Sequence, residues 1–225
     1  MPSITRAVAR LAALVLLGVL LNACGEKKPL LSESFVFGTR VEVQVADDLP
    51  AAQVRAAVAQ VLAEFDRLHR TYHAWQPSEL TELNEALASG RRVHVGTEMA
   101  DLLQEAQHDA QESDALFDPG IGRLIELWGF HADSYVAQLP EPAAIKAWWQ
   151  SHPSVVQLKI ERDVDGAWVS SPNRQVALDF GGSLKGKALD RAAAILKAAG
   201  VHNALIKISG NVMALGPRGG HASRV

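Results

Sequence analysis

The stretch Leu178-Asp179-Phe180-Gly181-Gly182-Ser183-Leu184-Lys185-Gly186, running straight into Lys187–Lys197, constrains this chain more than any other. It predicts a short buried strand, a glycine-rich turn and an amphipathic helix that stops at Gly200. Glycines let a backbone come close to a ligand. A helix start offers unpaired N–H groups and the positive end of a dipole to an anion. Lys185 adds a mobile cation inside the turn. A phosphate-bearing guest, such as a nucleotide or dinucleotide, suits this arrangement, although many strand–turn–helix connections carry glycines for geometry alone. The turn is not a Walker loop, since no Gly-Lys-Ser/Thr follows four spacers, and no G-x-G-x-x-G fingerprint is present.

The N-terminus speaks to compartment. Arg6 and Arg10 precede an apolar run from Leu11 to Leu21, too short for a stable bilayer anchor. The run ends in Leu21-Asn22-Ala23-Cys24-Gly25, which resembles a bacterial lipobox with Cys24 as the lipidated first mature residue. An uncleaved anchor and an ordinary secretion signal are the alternatives. Cys24 is the only cysteine, so an intramolecular disulfide is excluded. The expected organisation is a leader over 1–23, a lipidated tether over 24–33 and a globular domain over 34–225. Nothing after Cys24 decides between inner and outer membrane.

Roughly two hundred mature residues suffice for one sizeable core or two small linked lobes. A formal net charge of −3, with no basic cluster, argues against nucleic acid as a partner.

The order of elements is α+β. Ser34 to Val45 alternates around Gly38-Thr39 and reads as a strand pair or a bent strand. Ala51–Tyr72 is a strong amphipathic helix, with Val54, Val58, Val61, Leu62, Phe65 and Leu68 on one stripe. A strand is expected over Arg91–Val95 and a helix over Thr97–Gln111, with Thr97 as its cap. Asp118 is placed to cap a helix that begins at Pro119 and ends near Trp128-Gly129. Pro142–Gln150 reads as a short helix. Strands are expected at Val155–Ile160, Ala167–Ser170, Gln175–Phe180, Asn203–Ile208 and Asn211–Leu215.

Five ordered segments carry a resemblance. Phe37-Gly38-Thr39-Arg40-Val41-Glu42-Val43 is similar to an opening Met-Gly-Thr strand. Ala74-Trp75-Gln76-Pro77-Ser78-Glu79-Leu80, closing at Leu83-Asn84, resembles Thr-Tyr/Trp-x-x-Ser-Glu-Leu-x-x-Leu/Phe-Asn. Phe117-Asp118-Pro119 with Leu127-Trp128-Gly129-Phe130 matches Phe-Asp-Pro…Leu-Trp-Gly-Phe. The glycine-rich turn resembles Asp-Leu-Gly-Gly-Ile-Ala-Lys-Gly-Tyr. Asn203-Ala204-Leu205-Ile206 with Ser209-Gly210-Asn211-Val212 resembles Asn-Ala-Leu-Val-Asn-x-Gly-Gly-Asp-Ile. Together they are similar to the ApbE-type FAD:protein FMN transferases.

That resemblance implies a T-fold-like α+β arrangement of twisted antiparallel sheets flanked by helices. It implies Mg²⁺-dependent transfer of FMN from FAD to a threonine hydroxyl of a target protein, with release of AMP. The implied partner is a flavin-acceptor subunit of a membrane respiratory complex, and the implied setting is a periplasm-facing lipoprotein. Phe37 takes the place of a flavin-contacting methionine and is either a ring-packing or a plain core residue. Trp75 takes the place of an aromatic that stacks on FAD. Leu116, Phe117 and Asp118 correspond to a segment lining the FAD site, where Asp118 also serves as a helix cap. Gly181, Lys185 and Lys187 belong to the pyrophosphate turn, and the Leu184 backbone carbonyl corresponds to a Mg²⁺ ligand.

Ser183-Leu184 replaces the common Ile-Ala, Lys187 replaces an aromatic or aliphatic residue, and Lys207 stands where asparagine is frequent. The family pattern continues after Gly216 with a Ser-His-x-x-Asp/Asn-Pro segment holding the proposed catalytic histidine, and with an Asp…Thr pair for Mg²⁺. Neither occurs before Val225, and His202 and His221 read as surface residues. The expectations are therefore a flavin transferase lacking its C-terminal third, a lipid-anchored FAD-binding module, or an inactive product.

Overall fold

The first two strands, β1 (Leu30–Val36) and β2 (Thr39–Val45), form a hairpin closed by Phe37 and Gly38. Both turn residues have positive φ, 56° and 68°, the geometry that matches the twist of a two-residue hairpin. The computed structural model describes residues 29–132, 134 and 139–217. The leader, Cys24 and His221 lie outside them. Among the described residues, no helix is long and apolar enough to cross a membrane.

The hairpin belongs to a four-stranded antiparallel sheet, ordered β1-β2-β6-β7, with β6 at Ala204–Ile208 and β7 at Asn211–Leu215. The alternation of β2 and β6 sends Val41, Val43, Val45, Ile206 and Ile208 to one face, where all are buried. Two helices cover that face. One is α1 (Ala51–Thr71), which buries Val54, Val58, Val61, Phe65 and Leu68. The other is α6 (Leu184–Ala198), which buries Leu184, Ala188, Leu189, Ala192, Ala193 and Leu196. The alanines of α6 let it pack directly on α1.

A three-stranded antiparallel sheet, β3-β5-β4, is built from Val93–Gly96, Gly166–Ser170 and Lys159–Arg162 respectively. The other α-helices among the described residues are α2 (Glu79–Ser89), α3 (Thr97–Glu112), α4 (Gly122–Leu127) and α5 (Pro142–Ser151). The α+β arrangement of antiparallel sheets flanked by helices is the one expected.

Several local expectations are corrected. Strand β1 begins at Leu30 rather than Ser34, so residues 30–33 pair with β2. Helix α2 had no counterpart in the sequence reading. Its start is made by a reciprocal cap: the Thr81 N–H donates to Ser78 Oγ at 3.0 Å, and the Ser78 N–H donates to Thr81 Oγ1 at 2.8 Å. Thr97 is the first helical residue of α3 rather than its cap, because Gly96 ends β3 and takes the capping position. Residues 155–157 are a 3₁₀ turn, not strand, held by Ser154 and Gln157.

Helix α4 starts at Gly122, not Pro119. Asp118 Oδ1 accepts from the Gly120 N–H at 2.7 Å and from the Val155 N–H at 2.9 Å, so the carboxylate ties two loops together instead of capping a helix. The Gly122 N–H donates to the Ala177 carbonyl at 2.7 Å. A Cβ on Gly122 would stand 2.9 Å from that oxygen, so only glycine allows this approach.

The segment 175–180 is not a strand either, beyond a single bridge between Ile121 and Ala177. Its backbone groups find other partners. The Leu178 N–H donates to Asn84 Oδ1 at 2.7 Å, and Asn84 Nδ2 donates to the Leu178 carbonyl at 2.9 Å. The Asp179 N–H donates to the Pro119 carbonyl at 2.9 Å. Val176, Leu178 and Phe180 are buried. The apolar run was legible, but an asparagine on α2 takes the place of a neighbouring strand.

Candidate functional site

Where the hairpin tip, the end of α1 and the glycine turn meet, they enclose a cleft of about 390 Å³. One wall is aromatic. Phe35 stands exposed on β1, and Phe37 follows it into the turn. A bulky residue with positive φ is strained. Here the strain turns the Phe37 ring onto α1, edge-on to His69 with centroids 5.6 Å apart and 6.1 Å from Phe65.

His69 and His73 are four residues apart, so they share a side of the chain where α1 ends. Their rings lie 4.9 Å apart. The His73 ring organises the next loop, with Nδ1 accepting from the Gln76 N–H at 3.1 Å. The His73 carbonyl accepts from the Ser78 hydroxyl at 2.7 Å. The loop so fixed presents Trp75, which is 42% exposed, at the mouth of the cleft. Trp75 meets His73 edge-on and stacks on His131, with centroids 5.5 Å apart and planes 22° from parallel.

The opposite end of the cleft is polar. Lys185 and Gly181 line it. Helix α6 starts there with no side-chain cap from Ser183 and no acidic residue in its first turn, in contrast to the capped start of α2. Its leading dipole end carries no side-chain cap, as is also true of α1, α3, α4 and α5. Among the described residues, Lys185 makes no ion pair. Asp179 sits beneath the turn. Its Oδ1 accepts from the Gly181 N–H at 2.7 Å, and Oδ2 is 2.8 Å from His131 Nε2. Burial pushes the Asp179 carboxyl up. The bonds from His131 and Gly181, with the charges of His131 and Lys185, outweigh burial and hold it below the usual aspartate range. Burial likewise raises the Tyr72 hydroxyl, which borders the cleft and stays neutral.

Of the residues expected at a cofactor site, Phe37, Trp75, Gly181, Leu184 and Lys185 line this cleft. Phe117 lies under the turn, where a Cβ on Gly182 would stand 3.5 Å from its ring. Leu116 is 93% exposed, away from the cleft wall. Asp118 is engaged with Gly120 and Val155 as described. Lys187 turns the other way and pairs with Glu105 across a separate groove that Glu98, Asp101 and Asp190 also line.

Sequence reading missed His69, His73, His131 and Asp179. The four-residue spacing of the first two is a visible sign of a shared face. Nothing local marks the contact between His131 and Asp179, which are 48 positions apart.

The pattern of an ApbE family profile matches residues 37–225. The chain belongs to the ApbE family. It is 41% identical over 198 residues to an FAD:protein FMN transferase of Rhodobacter capsulatus, covering 88% of this chain and 37% of that protein. It is 29% identical over 217 residues to an FAD:protein FMN transferase of Treponema pallidum, covering 92% and 58%. The chain therefore spans between about a third and three fifths of these relatives' length. Its fold is similar to a crystal structure of the ApbE protein from Thermotoga maritima, with a TM-score of 0.74 and 27% identity, covering 86% of this chain and 60% of that one. The fold is also shared with the flavin transferase ApbE from Vibrio cholerae, at a TM-score of 0.76 and 19% identity, covering 88% and 63%. ApbE membership accounts for the five sequence segments together.

A resident Mg²⁺ would need several oxygen ligands converging on one point. Among the described residues, no group of three or more His, Cys, Asp or Glu is placed to hold a metal ion. The one carboxylate in the cleft wall, Asp179, already faces His131 and the Gly181 N–H. The Leu184 carbonyl stands in the first turn of α6. The described residues do not by themselves fit a Mg²⁺ site.

Proposed function

We propose that this chain carries the FAD-binding part of an FAD:protein FMN transferase. The observation that carries the reading is the division of the cleft in an ApbE-family chain: an aromatic wall at one end, an uncapped helix start with Lys185 at the other. A flat ring joined to a pyrophosphate uses both ends. Trp75 and Phe37 receive the isoalloxazine by stacking. Gly181 lets the phosphates approach the backbone, and Lys185 balances their charge.

The reaction proposed is phosphoryl transfer to a threonine hydroxyl of the acceptor. The hydroxyl oxygen forms a bond to the phosphorus on the FMN side, the P–O bond to the AMP phosphate breaks, and AMP leaves with that electron pair. The hydroxyl proton passes to a base. Lys185 and the α6 start stabilise charge developing on the phosphate oxygens. Mg²⁺ dependence belongs to the same proposal, but the described residues do not fit a metal site, and none of these roles depends on one. The test is incubation of the purified protein with FAD, Mg²⁺ and a flavin-acceptor subunit, followed by denaturing electrophoresis. Fluorescence retained on the acceptor supports transfer. FAD bound without covalent labelling overturns transfer in favour of an FAD-binding module.

We also propose a lipid-anchored, periplasm-facing location, with a subunit of a membrane respiratory complex as acceptor. Its support is the leader ending in Leu21-Asn22-Ala23-Cys24. Replacing Cys24 with serine should abolish lipid labelling and release the protein from membranes. Unchanged fractionation of the variant would refute the assignment.

A further inference from the structure

The aromatic end and the anion end of the cleft are not independent. Trp75 emerges from a loop and is 42% exposed. His73 meets the indole edge-on, 4.4 Å away, and the His131 imidazole stacks on it, 5.5 Å away and nearly parallel, so His131 is the ring that bears on its plane. His131 is fixed in turn by Asp179 at 2.8 Å, and the side chains of the pair are only 12% and 8% exposed. The second Asp179 oxygen holds the Gly181 N–H at 2.7 Å, inside the glycine turn. Thus one carboxylate supports both the ring wall and the anion turn.

A buried carboxylate–imidazole pair is an expensive way to fill space, since apolar side chains of similar volume are often as stable or better. What it adds is direction. An ionised carboxylate only accepts hydrogen bonds, so its contact places the proton on His131 Nε2 and locks the ring orientation. A stacking surface is useful to a planar ligand only if its plane is held before the ligand arrives.

We propose that His131 is a positioning residue: held by Asp179, it fixes the Trp75 plane against which the ligand ring lies. This rests on the flavin reading of the cleft. His131 acts through Trp75, so its contribution disappears when the indole is absent. A residue that touched the ligand independently, or that only supported the fold, would contribute in either background.

The experiment is a double-mutant cycle on Trp75→Ala and His131→Phe, with riboflavin, FAD and ADP as probes, read by flavin fluorescence quenching and calorimetry. His131→Phe keeps a ring beside Trp75 but loses the bond to Asp179. The expected result is riboflavin and FAD binding weakened roughly tenfold, with ADP binding unchanged. In the Trp75→Ala background, the same replacement should weaken riboflavin no further. His131→Gln, which keeps a donor for Asp179, should recover part of the loss, and it replaces the phenylalanine variant in the cycle if that protein does not fold.

Equal riboflavin binding by parent and His131→Phe would overturn the role of His131. So would losses that simply add across the cycle. A parent that binds neither flavin refutes the flavin reading itself, and the inference falls with it. A parent that binds flavin while the cycle is additive isolates the failure to His131.

Discussion

Asn84 on α2 holds the segment that leads into the glycine turn, and its replacement should show how much the site depends on a single amide. Its two hydrogen bonds to the Leu178 N–H and carbonyl, at 2.7 and 2.9 Å, substitute for a strand partner. Leu178 is fully buried. Asn84→Leu matches the side-chain volume but leaves both backbone groups without partners. Each orphaned buried group costs about 1–3 kcal/mol. Asn84 is itself only part-buried, so water recovers some of this, and the expected loss is about 3 kcal/mol. For a domain of this size, that corresponds to a fall in melting temperature of about 6–12 °C.

A second replacement removes the donor alone. Asn84→Asp keeps an acceptor for the Leu178 N–H but sets a carboxylate oxygen against the Leu178 carbonyl. At pH 7 it should destabilise at least as much as leucine. Near pH 4, protonation supplies a donor again, and the aspartate variant should regain stability relative to the leucine variant. Urea unfolding of the three proteins at both pH values measures this directly. A change below about 1 kcal/mol for leucine, or the same penalty for aspartate at both pH values, would refute the assignment of these bonds as the substitute for a strand.

Two other outcomes follow from the cleft. Trp75→Ala should weaken FAD and riboflavin alike, whereas Lys185→Ala should weaken FAD about tenfold and riboflavin little, because only FAD carries phosphates; equal losses for both ligands in both variants, measured by fluorescence titration, would contradict the division of the cleft. The folded-state carboxyl of Asp179 lies below its unfolded value, so it contributes stability above about pH 3.9 that is lost as pH falls through the folded value. Asp179→Asn should therefore lower the melting temperature at pH 7 and flatten the acid limb of the stability profile below about pH 4.

Elements with long periodic patterns were legible because their packing repeats the pattern. Val54, Val58, Val61, Phe65 and Leu68 are the buried stripe of α1 that their spacing predicts. Helix α2 was hidden because its start is a serine–threonine cap inside a polar motif, and its buried Leu80, Leu83, Ala86 and Leu87 cover only three turns. The apolar run ending at Phe180 was seen but assigned to a strand, since composition does not reveal that Asn84 and the Pro119 carbonyl satisfy its backbone. Trp75 was legible through the family resemblance. Its supports, His73 and His131, were not, because the first acts through backbone bonds and the second through a distant carboxylate.

The two lysines of the glycine-rich segment show how the same limit applies at the site itself. Both fall within a single turn of sequence, which invites grouping them around one anion. On α6, however, positions two apart are separated by about 200° around the helix axis. Lys185 consequently faces the cleft with Trp75 and Asp179, while Lys187 faces the groove of Glu98, Asp101 and Glu105 and pairs with the last of these. The cleft thus receives one of the two charges. Lys187 instead ties α6 to α3, the same pair of helices that Arg191 bridges to Glu98 at 3.1 Å. A glycine-rich turn at the head of a helix divides its charges by angle, so Lys185 lines the cleft while Lys187 ties the same helix to α3.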